Sequence, residues 1–201
     1  MTRRNGARRG TLLASGLISI ALLLVGCSST DASQSGQSGS GAAAQSGVQQ
    51  SGRVLSYQAG SDAYGIRMMF PQQPQITDLS DETSMESTQW FVSLDNDTVG
   101  YSVSVSVLPA PPVDDAQVEL ILQNAADGAA RAIGGTLEEP KFVSFQGYPA
   151  QRGAISSESD GPETQVQYLN VLRDDILYSV MGIGLTPEEF SAFEDEFTFT
   201  D

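Results

Sequence analysis

The feature that most constrains the fold is strict alternation of apolar and small polar residues over residues 99–108. The apolar positions are Tyr101, Val103, Val105 and Val107, and the polar positions are Ser102, Ser104 and Ser106. Side chains alternate between the two faces of a β-strand, so this period of two predicts a strand with one buried face. The serine row is expected to face water; the alternative is a shallow ligand groove lined by hydroxyl groups.

Other segments extend this strand into a sheet. Strands are predicted at residues 54–58, 64–70, 84–94, 136–146, 150–157, 164–172 and 176–184. Asp, Asn, Gly and Pro clusters separate them, as at Asp95 to Thr98, and Pro71 and Pro74 are expected to bracket a polar turn. Trp90 and Val92 should share one strand face, with Phe91 on the other. Consecutive strands joined by short turns indicate an antiparallel sheet.

Two helices are predicted beside the sheet. The first begins near Asp114 or Asp115, ends at Gly134-Gly135, and becomes alanine-rich toward its end, which lets it lie close to a sheet. Its apolar stripe is Val118, Ile121, Leu122, Ala125, Ala129 and Ala132 or Ile133. The second begins at Thr186, with Pro187 and Glu189 completing a capping box. Its phenylalanines, Phe190, Phe193 and Phe197, are expected in the core.

The N-terminus has the organisation of an export signal. Four arginines occur among residues 3–9, no acid precedes Asp31, and an apolar run over residues 11–25 leads to Leu24-Val25-Gly26-Cys27. This box resembles the bacterial lipobox. The resemblance implies signal peptidase recognition of Leu24, Val25 and Gly26, cleavage before Cys27, and acyl chains such as palmitate on the Cys27 thiol. An ordinary secretory signal and a single membrane span are the alternatives, and the Sec and Tat export routes are both open.

The chain divides into three regions on this interpretation. Residues 1–26 form a lipoprotein signal peptide, 27–52 the lipidated Cys27 and a Ser/Gly/Gln linker expected to be disordered, and 53–201 a single α+β domain. The linker would span about 25–30 Å. Cleavage removes four arginines and no acid, which lowers the net charge from −15 to −19. Membrane attachment is therefore expected through the lipid anchor, on the extracytoplasmic face.

Composition excludes several kinds of chemistry. The chain has no histidine and one cysteine, which excludes catalytic triads with His, zinc sites and internal disulfides. The net charge of −15 excludes nucleic acid as an expected partner, because phosphate binding needs a positive surface. No cofactor, metal site or catalytic residue is predicted.

Three motifs resemble functional sites but favour a structural interpretation. Asp95-Asn96-Asp97 begins like a Ca²⁺ loop but lacks its later ligands, which favours a hairpin turn. Gly182-Ile183-Gly184 lacks the third glycine and βαβ context of a dinucleotide motif. Glycoside hydrolysis would use a pair of carboxylates, which the acids of the turns could supply. These acids are expected to be solvated instead: Glu158, Asp160, Glu163, Asp174 and Asp175.

The order of elements in residues 53–201 is similar to that of PsbP-like (Mog/PsbP-type) domains. The resemblance rests on the opening strand at residues 64–71 with Pro74 after it, the middle helix, Gly147-Tyr148-Pro149, Leu177-Tyr178 and the Phe-rich closing helix. It implies an α/β/α sandwich around an antiparallel sheet, as in secreted and lipoprotein members from bacteria, many of which have no assigned activity. The fold by itself implies no function.

Two functions follow as hypotheses. The first is a cell-envelope lipoprotein whose domain is not an enzyme and binds an envelope protein or small ligand. The alternative is a carboxylate-dependent hydrolase acting on cell-wall polymer.

Overall fold

The computed structural model describes residues 54–83, 85–95, 97–157 and 164–200. The predicted signal peptide, Cys27, the predicted linker and the acids Glu158, Asp160 and Glu163 lie outside these residues. No helix in the described ranges is long and apolar enough to cross a membrane.

Ten strands and three helices make up the described chain. In order they are β1 (Tyr57–Ser61), β2 (Ile66–Phe70), β3 (Gln75–Asp78), α1 (Ser80–Thr83), β4 (Ser87–Leu94), β5 (Val99–Val107), α2 (Asp115–Ala132), β6 (Thr136–Phe145), β7 (Tyr148–Ser157), β8 (Thr164–Arg173), β9 (Ile176–Ile183), α3 (Pro187–Asp195) and β10 (Thr198–Phe199). A seven-stranded sheet has the order β3-β4-β5-β9-β8-β7-β6, and a small sheet has the order β1-β2-β10. Every strand pair is antiparallel, which confirms the predicted fold class.

Both faces of the large sheet are covered. On one face, the alanine-rich half of α2 packs its buried Ala126, Ala129 and Ala130 near Tyr168 and Met181. The opposite face is covered by α3 and the small sheet, whose phenylalanines and apolar strand residues share one core. The α/β/α arrangement is therefore present, with a small sheet added beside α3.

Helix boundaries follow the local signals. The Asp114 side chain accepts a hydrogen bond from the backbone N–H of Gln117 at 2.8 Å, and Gly134 ends α2 with a φ of 65°. The Thr186–Glu189 capping box begins α3 as predicted.

Strand boundaries depart from the predictions in several places. The first strand lies at Tyr57–Ser61 instead of 54–58, the second starts at Ile66 instead of residue 64, the fourth starts at Ser87 instead of residue 84, and β7 starts at Tyr148 instead of residue 150. The polar turn predicted between the prolines ends at Pro74, and the short strand β3 follows it. This strand was missed because its exposure pattern shows no buried alternating face. The two-residue β10 is too short to carry a periodic signal.

Candidate functional site

The serine row does not face water as predicted. Ser102 is 2% exposed and Ser106 is 9% exposed, while Ser104 is intermediate. Ser102 Oγ accepts a hydrogen bond from Gln89 Nε2 at 3.0 Å, and the hydroxyl groups of Ser106 and Ser87 are 2.9 Å apart. The water-facing interpretation is therefore wrong for Ser102 and Ser106, because neighbouring polar side chains replace solvent as their partners.

The motif with two aspartates forms a turn. Asp95 and Asp97 have positive φ values of 53° and 67°, Thr98 donates its hydroxyl hydrogen to the Asp95 carbonyl at 2.9 Å, and Ser93 donates to the Asp97 carboxylate. Among the described residues, no group of three or more acidic or cysteine side chains could hold a metal ion. Asn96 lies outside them.

The glycine motif and the last pair of turn acids have structural roles. A Cβ at Gly182 would lie 2.6 Å from Leu185 Cδ1 and 2.8 Å from Phe190 Cδ2, so this glycine lets α3 approach β9. Gly184 and Asp174 have φ values of 62° and 56°, which places them in the left-handed conformation of turns. The strand that carries Gly182, β9, pairs antiparallel with β5 and β8, so no parallel βαβ unit surrounds this glycine in the described part of the chain.

One concave feature is a cleft bordered by the two sheets, called the inter-sheet cleft below. Its volume is about 600 Å³, within the usual range of ligand sites. It is lined by Tyr57, Gln58, Ala59, Gly60, Ser61, Asp62, Ile66, Arg67, Gln73, Pro74, Ile76 and Trp90. Both β1 and β3 contribute walls, and each is the terminal strand of its sheet.

Trp90 is a buried part of this lining. Its side chain is 3% exposed, and its indole Nε1 has no hydrogen-bond partner among the described residues. Ile76 is its direct neighbour on β3, and 64% of this side chain is exposed. The cleft therefore contains an unsatisfied donor next to an exposed apolar side chain. A buried N–H without an acceptor lowers the stability of the fold by about 1–3 kcal/mol.

The Tyr64 ring packs against the Trp90 ring. The rings meet edge to face at a centroid distance of 6.3 Å. The Tyr64 hydroxyl donates to Glu86 Oε1 at 2.9 Å and lies 3.3 Å from Thr88 Oγ1, and the Tyr178 hydroxyl donates to the Tyr64 carbonyl at 2.7 Å. Burial is the main reason that the pKa of Tyr64 is raised. These contacts fix one side of the indole ring in place.

A second, polar groove lies between α3 and strands β6, β7 and β8. It has a volume of about 460 Å³, and the described residues that line it are Glu138, Glu139, Lys141, Arg152, Gly153, Ala154, Gln165, Gln167, Tyr168, Pro187, Phe190, Ser191 and Glu194. Arg152 donates a hydrogen bond to the buried carboxylate of Glu194, and its positive charge compensates the negative charge of that carboxylate. This ion pair connects α3 to the sheet.

Tyr168 contributes a buried hydroxyl to this groove. A Cβ at Gly153 would lie 2.9 Å from the Tyr168 hydroxyl oxygen, so the glycine makes room for it beside the β-bulge of β6. That oxygen has no hydrogen-bond partner among the described residues. Burial, with a smaller contribution from Asp127, raises the pKa of Tyr168 to about 12, so the phenol stays protonated at neutral pH.

Removing this hydroxyl is expected to stabilise the domain. Tyr168→Phe deletes an unpartnered polar atom and keeps the ring packed against α2, so the free energy of unfolding should rise by about 1 kcal/mol. Urea denaturation followed by circular dichroism measures the change. Tyr64→Phe is the matched control, because its hydroxyl has partners, and it should lower stability. A loss of stability in Tyr168→Phe would show that the hydroxyl has a partner in solution.

Neither concave feature was found from the sequence. Trp90 was assigned only to a strand face, and Arg152 and Glu194 are separated by 42 positions. The single tryptophan in the chain was the one local signal available for the cleft. The predicted lipobox residues Leu24, Val25, Gly26 and Cys27 lie outside the described part of the chain.

The antiparallel sheet with α2 on one face and α3 on the other defines a PsbP-like fold. The solution structure of cyanobacterial PsbP (CyanoP) from Synechocystis sp. PCC 6803 matches it with a TM-score of 0.53 and 11% identity, covering 71% of this chain and 91% of that one. A Pseudomonas aeruginosa protein of unknown function is also 11% identical and covers 69% of this chain and 88% of its own, but its TM-score of 0.37 supports no argument. No protein-family model matches the sequence, and no curated protein is significantly similar to it.

Proposed function

We propose that the chain is a lipid-anchored protein on the extracytoplasmic face of the cell membrane, whose PsbP-like domain binds an envelope protein or small envelope ligand without catalysis. The lipobox-like box at residues 24–27 supports the anchor, and the acidic chain after it supports attachment through lipid alone. The domain would be held away from the headgroups by the linker at residues 28–52.

One observation carries the binding role: the inter-sheet cleft contains the buried, unpartnered Trp90 N–H beside the exposed Ile76 side chain. Both features are unfavourable in water, since one is an unsatisfied donor and the other is unburied apolar area. An occupant that covers Ile76 and supplies an acceptor would relieve both. The hydrolase alternative has no comparable support, because the described Asp174 lies in a turn and Glu194 is paired with Arg152.

Photo-crosslinking in cells tests this role without assuming what binds. A photoreactive amino acid replaces Ile76 in the full-length chain, and a second variant carries it at Tyr57 on the cleft's opposite wall. Val113 is the matched control, because its side chain is 87% exposed and does not line the cleft. We expect a discrete adduct, resolved by gel shift and mass spectrometry, from the two cleft positions and not from Val113. The absence of adducts at both cleft positions, or equal adducts at Val113, would contradict the proposed function.

A further inference from the structure

We propose that the occupant of the inter-sheet cleft is an extended polypeptide segment of a partner protein, which pairs with the open edge of β1 and places an acidic side chain against Arg67. The inference rests on the proposed function, since it names the kind of partner that the same cleft takes. It depends on four properties of the cleft wall: an unpaired strand edge, an exposed apolar pair, one cation and the Trp90 N–H.

The strand edge comes from the topology. Among the described strands, β1 pairs only with β2, so one side of its backbone has no sheet partner. All five residues of β1 line the cleft. An extended peptide adds to such an edge through main-chain hydrogen bonds.

The sequence of β1 lacks the usual protection of an edge strand. Proteins block unwanted pairing with prolines, charged side chains or very short edge strands. The strand Tyr57–Ser61 contains neither a charged residue nor a proline. The other edge at the cleft, β3, has four residues, follows Pro74 and ends at Asp78. The added strand is therefore assigned to β1.

Apolar side chains stand on both sides of the position that the peptide would occupy. Tyr57 on β1 is 39% exposed, and Ile76 on β3 is 64% exposed. Ile76 belongs to the row of the sheet that continues through the buried residues Trp90 and Val103. An apolar side chain of the peptide paired with β1 would pack against Ile76 and cover its exposed surface.

The guanidinium of Arg67 favours an acidic group at one point of the cleft. Arg67 is exposed on β2 and faces Gly60 across the strand pair, where no side chain covers it. A side chain at residue 60 is excluded, because its Cβ would lie 2.3 Å from the Ile66 carbonyl oxygen. Arg67 and Asp62 are the charged residues that line the cleft, and of these two only Arg67 can donate hydrogen bonds to a carboxylate. An acidic side chain of the peptide placed beside Gly60 is therefore complementary to the Arg67 guanidinium.

The Trp90 N–H supplies the fourth contact. The carbonyl groups on the outer edge of the added strand, which do not pair with β1, are acceptors for this donor, which has no partner among the described residues. The nitrogen is enclosed, so an acceptor reaches it only when a lining side chain moves. Binding should consequently change the environment of the indole, and Trp90 is the chain's single tryptophan.

A phage-displayed library of random linear peptides, about nine residues long, is the probe. It is selected against the full-length protein in detergent micelles, and the best peptide is synthesised together with versions in which its acid is replaced by lysine or serine. We expect enriched peptides with alternating apolar residues and one acid, a change in Trp90 emission on binding, and slower amide hydrogen exchange in β1 but not in the opposite edge strand β6.

Charge exchange gives the sharpest readout. Arg67→Glu should weaken the acidic peptide at least about tenfold and strengthen the lysine version, whereas Arg67→Gln should weaken the acidic peptide alone. Ile76→Ser should weaken binding by several-fold. Val113→Ser, the same kind of apolar-to-polar change at an exposed site outside the cleft, should leave binding unchanged. Circular dichroism checks that each variant keeps its fold.

Failure of this inference is separable from failure of the proposed function. Crosslinked adducts at Ile76 in cells with no peptide enrichment would mean that the cleft binds another class of ligand, and the strand-addition inference would be wrong. Peptides that bind without protecting β1, or that ignore the charge of residue 67, would also overturn it. No adducts and no peptides together would contradict both proposals.

Discussion

Changing Cys27 to serine is expected to move the protein from the membrane fraction to the soluble fraction or to leave its signal uncleaved. The lipobox-like box at residues 24–27 implies that the Cys27 thiol carries the acyl chains, and serine has no thiol. Two acyl chains give stable anchoring at about 0.8 kcal/mol for each buried CH₂ group, so their loss removes essentially all membrane affinity. Metabolic labelling with an alkyne fatty acid, followed by fractionation, measures both effects.

The neighbouring serine provides the control. Ser28→Ala changes one hydroxyl next to the same box and should retain labelling and membrane association. Acyl labelling that persists in Cys27→Ser would show that the lipid is attached elsewhere. A wild-type chain that carries no acyl label and keeps residues 1–26 would favour the alternative of a single membrane span at the N-terminus.

Replacing Phe193 with alanine is expected to cost about 3–5 kcal/mol of unfolding free energy, which is a large fraction of the stability of a domain of this size. Its side chain is fully buried, with ring centroids 5.5 Å from Phe70 and 5.1 Å from Tyr101. The residue thereby connects α3 with β2 of the small sheet and β5 of the large one. Its loss leaves a cavity where three elements meet, and urea denaturation measures the cost.

Ser191→Ala is the matched control on the same helix. Ser191 is exposed, so the change should alter the unfolding free energy by less than about 0.5 kcal/mol. A cost below about 1.5 kcal/mol for Phe193→Ala would show that α3 is not part of the cooperative core. If the Phe193→Ala variant stays folded and no longer crosslinks from Ile76, the packing of α3 determines the shape of the cleft.

Much of the fold was predictable because its signals are local. Alternation over residues 99–107 specifies β5, and the Thr186-Pro187-Glu189 signature specifies the start of α3. The stripe of α2 placed Leu122, Ala125 and Ala129 correctly on its buried side. Each of these signals involves residues within a few positions of one another, where the chain's own geometry decides which side chains share a face.

The serine row shows where alternation stops being informative. The period of two correctly separated Val103 from Ser102, but it did not determine what would cover the second face. Ser102 is buried on a face that α2 covers in part, and Gln89 of a neighbouring strand donates the hydrogen bond that replaces its water. A small polar residue is therefore compatible with water or with a polar partner, and the choice depends on a neighbouring strand.

Sequence alone determined the alternation, the caps, the absence of histidine, and a box at Cys27 that predicts a lipid anchor, because these are properties of residues adjacent in the chain. The tertiary structure decided that β1 and β3 end their sheets beside one cleft, that Trp90 is enclosed there without an acceptor, and that Arg152 meets Glu194 in a separate groove. The physical reason is that burial and pairing depend on residues far apart in the chain. Strand order brings those residues together, and a one-dimensional pattern does not contain it.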